Sequence, residues 1–188
     1  ERPLSGEPET ACHVTAPVDL APWWERWMGC DWGHAHETAV YWACRNEEDR
    51  RIHIYREFAE AGVEPFQLGV RIAEMCEKDL LKLPDQTMVM YLSKDAFDKR
   101  QGQTAPSTAE LISMGIREAF GPGGCFVAHH VEAEEMEAFW EAGKSLQPRI
   151  VIRQVDASSG SRIAAAQYIR SLLRWWPVRD PEKQIQFD

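Results

Sequence analysis

Between residues 27 and 58 the sequence carries three strand-like segments in succession, with no room for a helix between them. The first runs roughly over 27–32, through "WMGCD", and breaks at Trp32-Gly33. "TAVYWACR" follows, and then "RIHIYREF", with the polar "NEEDR" as the turn between the two. In the third segment Ile52 and Ile54 alternate with His53 and Tyr55, the period of two that a partly buried strand shows. From residue 64 the period lengthens. In "EPFQLGVRIAEMCEKDLLKL" the positions Leu68, Ile72, Met75, Cys76 and Leu80 fall on one helical stripe, which predicts an amphipathic helix ended at Pro84-Asp85.

"QTMVMYLS" predicts a fourth strand, apolar enough to be central, and "KDAFDKRQGQTAP" a polar loop. "STAELISMGIREAF" opens with a Ser-x-x-Glu capping box (Ser107, Glu110) and predicts a helix up to Gly121. After the turn "GPGG", the stretch "VEAEEMEAFWEAG" reads as a short acidic helix and "RIVIRQV" as a fifth strand. "SGSRIAAAQYIRSLLRWW" reads as a helix stopped by Pro177, and "KQIQFD" as a further strand. Residues 1–21, rich in Pro, Ser, Thr and Glu without periodicity, read as a linker or extended arm. The order β-β-β-α-β-α-(α)-β-α-β then predicts an α/β domain over 22–188 of the RNase H-like class. Its central mixed sheet has the first three strands antiparallel and helices on both faces.

Bulk properties narrow the function. A chain of 188 residues with 44% hydrophobic and 27% charged side chains suits one globular domain. It begins with Glu, which suggests a piece of a longer protein. No apolar run approaches the roughly 20 residues of a membrane span, and nothing resembles a signal peptide. Five cysteines, odd in number and never spaced as CxxC, argue against a disulfide framework or a zinc site and for a reducing cytoplasm. The net charge of −9 argues against tight nucleic-acid binding. Residues 147–180, however, hold six arginines against Asp156 and Asp180. Of these, Arg153, Arg162, Arg170 and Arg174 are candidate phosphate contacts, or else a solvated helix face.

Asp31 is a lone carboxylate at the end of a strand that reads as buried, and burying a charge is costly unless it is paired or holds a metal. In the expected sheet the fourth strand lies beside the first, and "YLSKDAF" presents Asp95 just past its end. Carboxylates from neighbouring strand ends can share Mg²⁺ or Mn²⁺, hard ions that prefer oxygen ligands, and a two-metal site can activate water against a phosphodiester. Either aspartate could instead be a turn former or cap. Asp98 is a substitute for Asp95. Glu57 is a third acid that could point toward the site, pair with Arg56 or sit on a solvated edge. His34 and His36 flank the break after Asp31 and could touch a phosphate or metal, or simply be exposed. "AFWEAGKS" formally fits a relaxed phosphate loop, but it lacks the first glycine and the buried strand that such a loop requires.

"PWWERWMGCDWGHAHETAVYW" followed by "RIHIYREF" resembles the opening of the nuclease domain of tailed-phage (or prophage) terminase large subunits. "YLSKDAF" is similar to the family's second acidic position, usually Asp-Pro-Ala, with Ala96 in place of the proline. "SRIAAAQYIRSLLRW" resembles the helix after its fifth strand. The resemblance implies a metal-dependent endonuclease that cuts concatemeric DNA during packaging. It would use Mg²⁺ or Mn²⁺ in a two-metal site, with Asp31 and Asp95 as the first and second acids. It places the third acid beyond residue 188, so that the domain is truncated at its C-terminus. It also implies double-stranded DNA, a terminase ATPase domain, a small terminase subunit and a portal as partners, in the cytoplasm of the bacterial host. Two other readings stay open. One is a non-catalytic docking module of the same fold, using residues 1–27, the acidic segment 132–141 and tryptophans such as Trp23, Trp24, Trp175 and Trp176 as anchors. The other is an actin-like ATPase, suggested by "DWGHAHETAV", although no second phosphate loop follows.

Overall fold

The computed structural model describes residues 19–33, 35–48, 52–82, 87–98, 105–128, 148–155, 175–176 and 186–187. The chain divides into two compact units, residues 20–155 and the terminal residues 1–19 with 156–188. In the first unit the elements are β1 (Glu25–Asp31), β2 (Glu37–Arg45), β3 (Ile52–Ala61), α1 (Pro65–Lys82), β4 (Met88–Leu92), α2 (Thr108–Phe120), β5 (Cys125–Ala128) and β6 (Ile150–Gln154), with a 3-10 turn at Lys94–Phe97. In the second, β7 (Trp175–Trp176) and β8 (Gln186–Phe187) form an antiparallel pair.

The six strands of the first unit lie in the order β3-β2-β1-β4-β6-β5. Strands β1, β2 and β3 meander antiparallel, whereas β4 runs parallel to β1, β6 to β4, and β5 to β6. An antiparallel meander joined through its first strand to parallel crossovers is the RNase H-like sheet that the element order predicts. The inner parallel strands are the near-continuous apolar runs "MVMYL" and "IVIRQ", as expected of strands flanked on both sides.

Both described helices cover one face. Met28 and Cys30 of β1, Val40 and Trp42 of β2, Met88, Met90 and Leu92 of β4, and Ile150 and Ile152 of β6 share a single buried cluster with Leu68, Ile72 and Cys76 of α1 and Ile112 and Ile116 of α2. The capping box opens α2 as predicted: the Ser107 hydroxyl accepts from the Glu110 amide and the Glu110 carboxylate from the Ser107 amide. The helices meet at two glycines. A Cβ on Gly69 would stand 2.1 Å from the Ile112 carbonyl oxygen, and one on Gly115 2.1 Å from that of Phe66. Neither backbone could approach so closely past a side chain.

The structure adds to the expectations at two points and corrects them at one. A strand, β5, follows the "GPGG" turn, unforeseen because four residues are too few to show a period. Trp175–Trp176 is a strand rather than the end of a helix, while the rest of that expected helix, the acidic helix at 131–143 and the phosphate-loop-like segment lie outside the described residues. In β3 the apolar side of the alternation faces outward. Ile52 and Ile54 are exposed, and His53 and Tyr55 turn inward, where His53 stacks on Trp24 and the Tyr55 hydroxyl donates to Asp79 at 3.3 Å.

Cys30, Cys44, Cys76 and Cys125 are free and buried, and burial raises all four thiols, Cys30 and Cys76 to about 12 and Cys125 to about 11. Thiolate is the reactive form, so a thiol reagent at pH 8 should modify these four only as fast as the chain unfolds. The same shifts set a pH trend. The folded state holds these protons more tightly than the unfolded one, so stability should fall as pH rises from about 9 toward 11. Urea midpoints measured across that window check it.

Candidate functional site

Asp31 is the last residue of β1, paired in register with Ala39 of β2. Its place follows from what surrounds it. Cys30 before it points into the core, so Asp31 emerges on the opposite face. Trp32 after it donates its indole N–H to the Val63 carbonyl at 3.1 Å, which turns the chain out of the strand. The carboxylate is exposed. The expectation of a buried charge whose cost a metal offsets is therefore corrected: the strand is buried through alternate residues, and Asp31 lies on the other alternation.

Asp95 reaches the same end of the sheet by a different route. The β1–β4 ladder closes at Cys30 and Leu92, after which Ser93 leads into the 3-10 turn. Ala96 and Phe97 bury themselves as the anchor of that turn and leave Asp95 exposed. The Ala96 amide donates to the Ser93 carbonyl at 3.2 Å, a bond that proline at this position could not make. The structure thus gives a local reason for alanine in "KDAF".

Two exposed carboxylates therefore follow the carboxyl ends of adjacent parallel strands, where open α/β sheets bind ligands. The donor set is all oxygen, which suits Mg²⁺ or Mn²⁺. Mg²⁺ in particular keeps several waters and uses one or two protein carboxylates. Among the described residues no group of three or more His, Cys, Asp and Glu side chains could hold a metal ion.

The other candidates are scattered. Asp98 follows the same turn, exposed, with its amide on the Asp95 carbonyl at 3.3 Å. Glu57 lies within β3 rather than at its end, opposite Tyr41, and is exposed. Its neighbour Arg56 pairs with Asp79 instead. His36 is exposed, and His34 lies outside the described residues. Arg153, near the end of β6, is exposed and level with Tyr91 of β4. Arg162, Arg170 and Arg174 lie outside the described residues.

One charged cluster escaped the sequence reading. Arg26 of β1, on the helix-facing side, and Arg56 of β3 converge on Asp79 of α1, at 3.7 and 3.0 Å. Arg56 also donates to the Met75 carbonyl, and Arg26 to those of Leu20 and Ala21 at 3.4 and 3.3 Å. Both guanidinium groups stack over the Tyr55 ring, and Arg56 over Trp42 as well. Burial and the Asp79 carboxylate push the Tyr55 phenol well above its ordinary value. Alternation places Arg26 on the opposite face from Asp31, so this is a fastening of β1 and β3 to α1 rather than part of the site. The signal that could have revealed Arg26 is a charged residue at an inward position of β1, whereas Arg56 comes inward through the register irregularity of β3 opposite Trp42 and Ala43.

No helix among the described residues is long and apolar enough to cross a membrane. No family model and no curated protein matches the chain. Among solved structures, the chain is similar to the P22 large terminase nuclease domain, at 12% identity and a TM-score of 0.40, over 87% of this chain and 88% of that one.

Proposed function

We propose that the chain is the nuclease domain of a phage-type packaging terminase, a metal-dependent endonuclease acting on double-stranded DNA. The observation that supports the reading is that β1 and β4 run parallel as neighbours, with Asp31 at the carboxyl end of one and Asp95 in the turn that follows the other. It is joined by the resemblance of "CDWG" and "YLSKDAF" to the family's acidic motifs. Asp31 and Asp95 would hold Mg²⁺ or Mn²⁺, which when bound supplies Lewis-acid polarisation of the phosphodiester and a more acidic water. Around it, the chain's own part is to hold the two carboxylates apart from the apolar core and open to solvent. Arg153, exposed on the strand next to β4, would offer a charge to a phosphate. The ATPase domain, small subunit and portal belong to the same proposal as partners.

The test is nicking of supercoiled plasmid in Mn²⁺, with EDTA as control. Asp31→Asn should cut at least ~100-fold more slowly than the wild type, since losing a metal ligand removes several kcal/mol of charge stabilisation. Equal cutting by both proteins would sink the assignment of Asp31. A docking module of the same fold is favoured by one observation, the small described donor set. An inert wild type that still binds a terminase ATPase domain would establish it.

A further inference from the structure

Thr38 is fully buried on the helix-facing side of β2, among Val40 and Trp42. A hydroxyl there is costly unless satisfied, and valine would fill the same space. Both of its bonds go to one residue across the turn: the Gly33 amide donates to the Thr38 oxygen at 3.3 Å, and the Thr38 hydroxyl donates to the Gly33 carbonyl at 3.3 Å. The turn is tight at that point, since a Cβ on Gly33 would lie 3.2 Å from the His36 carbonyl oxygen. Three consecutive residues are thus held in turn, two by β2 and one by the segment before α1. Asp31 is fixed in the ladder to Ala39, Trp32 is tied to Val63 before α1, and Gly33 is clasped by Thr38. An exposed carboxylate gains a fixed direction only from such backbone restraint, and supporting bonds of this kind set ligand geometry.

We propose that Thr38 is a positioning residue for the Asp31 carboxylate: its hydroxyl locks Gly33, and with it the exit from β1, so that Asp31 meets a divalent cation together with Asp95. This rests on the metal reading above. The experiment uses the whole 188-residue chain, with Mn²⁺ binding followed by the EPR signal of free Mn²⁺ and the Gly33 amide followed by hydrogen exchange. Thr38→Val should unfold cooperatively yet bind Mn²⁺ about 10- to 100-fold more weakly, the range that supporting bonds command, with Gly33 exchanging faster. Thr38→Ser, which keeps the hydroxyl, should bind near the wild-type affinity. Wild-type affinity in Thr38→Val would overturn the proposal, as would loss of affinity in Thr38→Ser equal to that in Thr38→Val. Should Thr38→Val fail to fold, fast Gly33 exchange in the wild type would overturn it and slow exchange would support it. A wild type that binds no Mn²⁺, or an Asp31→Asn variant that binds it as tightly as the wild type, would sink the metal reading and the positioning role with it. The exchange of Gly33 would still report whether the clasp exists.

Discussion

Gly115→Ala is expected to destabilise the fold by about 3 kcal/mol or more, at the upper end of what overpacking costs. The direction is the reverse of what helix propensity alone would give. Alanine in place of a mid-helix glycine ordinarily gains about 1 kcal/mol. Here the added methyl would meet the Phe66 carbonyl oxygen at 2.1 Å, and a backbone atom cannot swing aside as a flexible side chain can. The two helices must separate, and with them the packing of Leu68, Ile72, Ile112 and Ile116 in the shared core. Gly69→Ala presses on the same contact from the other helix, against Ile112. Since one separation relieves both clashes, the double variant should lose less than the two single losses added together. Urea denaturation of the three proteins, read at the midpoint with the slope unchanged, checks both statements. A stability gain in either single variant would show that α1 and α2 do not touch at these glycines.

The second large effect lies at Asp79. Two guanidinium groups share its carboxylate beneath the sheet, and removing it leaves Arg26 and Arg56 facing each other without compensation. Breaking a buried ion pair from one side costs about 3 to 5 kcal/mol, and Asp79→Asn should fall in that range. Arg26→Met should cost much less, although Arg26 is the more buried of the two arginines. Its removal leaves Arg56 and Asp79 as a balanced pair, and its Nε has no hydrogen-bond partner to lose. What Arg26→Met gives up are the 3.7 Å contact to Asp79, the stacking over Tyr55 and the long bonds to the Leu20 and Ala21 carbonyls. Comparing the two variants by thermal melting tests the charge count itself. Equal losses would mean that Arg26 acts through packing rather than charge.

The element sequence was largely legible because it rests on local chemistry. The strand-like run "TAVYWACR", the helical stripe of Leu68, Ile72 and Leu80, and the Ser107–Glu110 box each act within a few residues, and each stands where it was expected. So did the break after Asp31, where Trp32 and Gly33 cannot continue the strand. The parallel pairing of β1 with β4 was inferred from element order, and this places Asp31 and Asp95 at one end of the sheet.

What the sequence could not settle is which face each alternation presents and which distant charges meet. Ile52 and Ile54 point outward although they are the apolar side of β3, because the inward side is used by His53 on Trp24 and Tyr55 on Asp79. Asp31 is exposed within a strand whose other alternation is buried. Arg26 is buried only because Asp79, far along the chain, arrives on α1 to meet it. Thr38 reads as an ordinary strand threonine until the turn folds Gly33 back onto its hydroxyl. Periodicity is a property of neighbours and fixes the elements. Burial of charge and the aim of a carboxylate depend on partners brought together by sheet pairing, and those exist only once the fold is made.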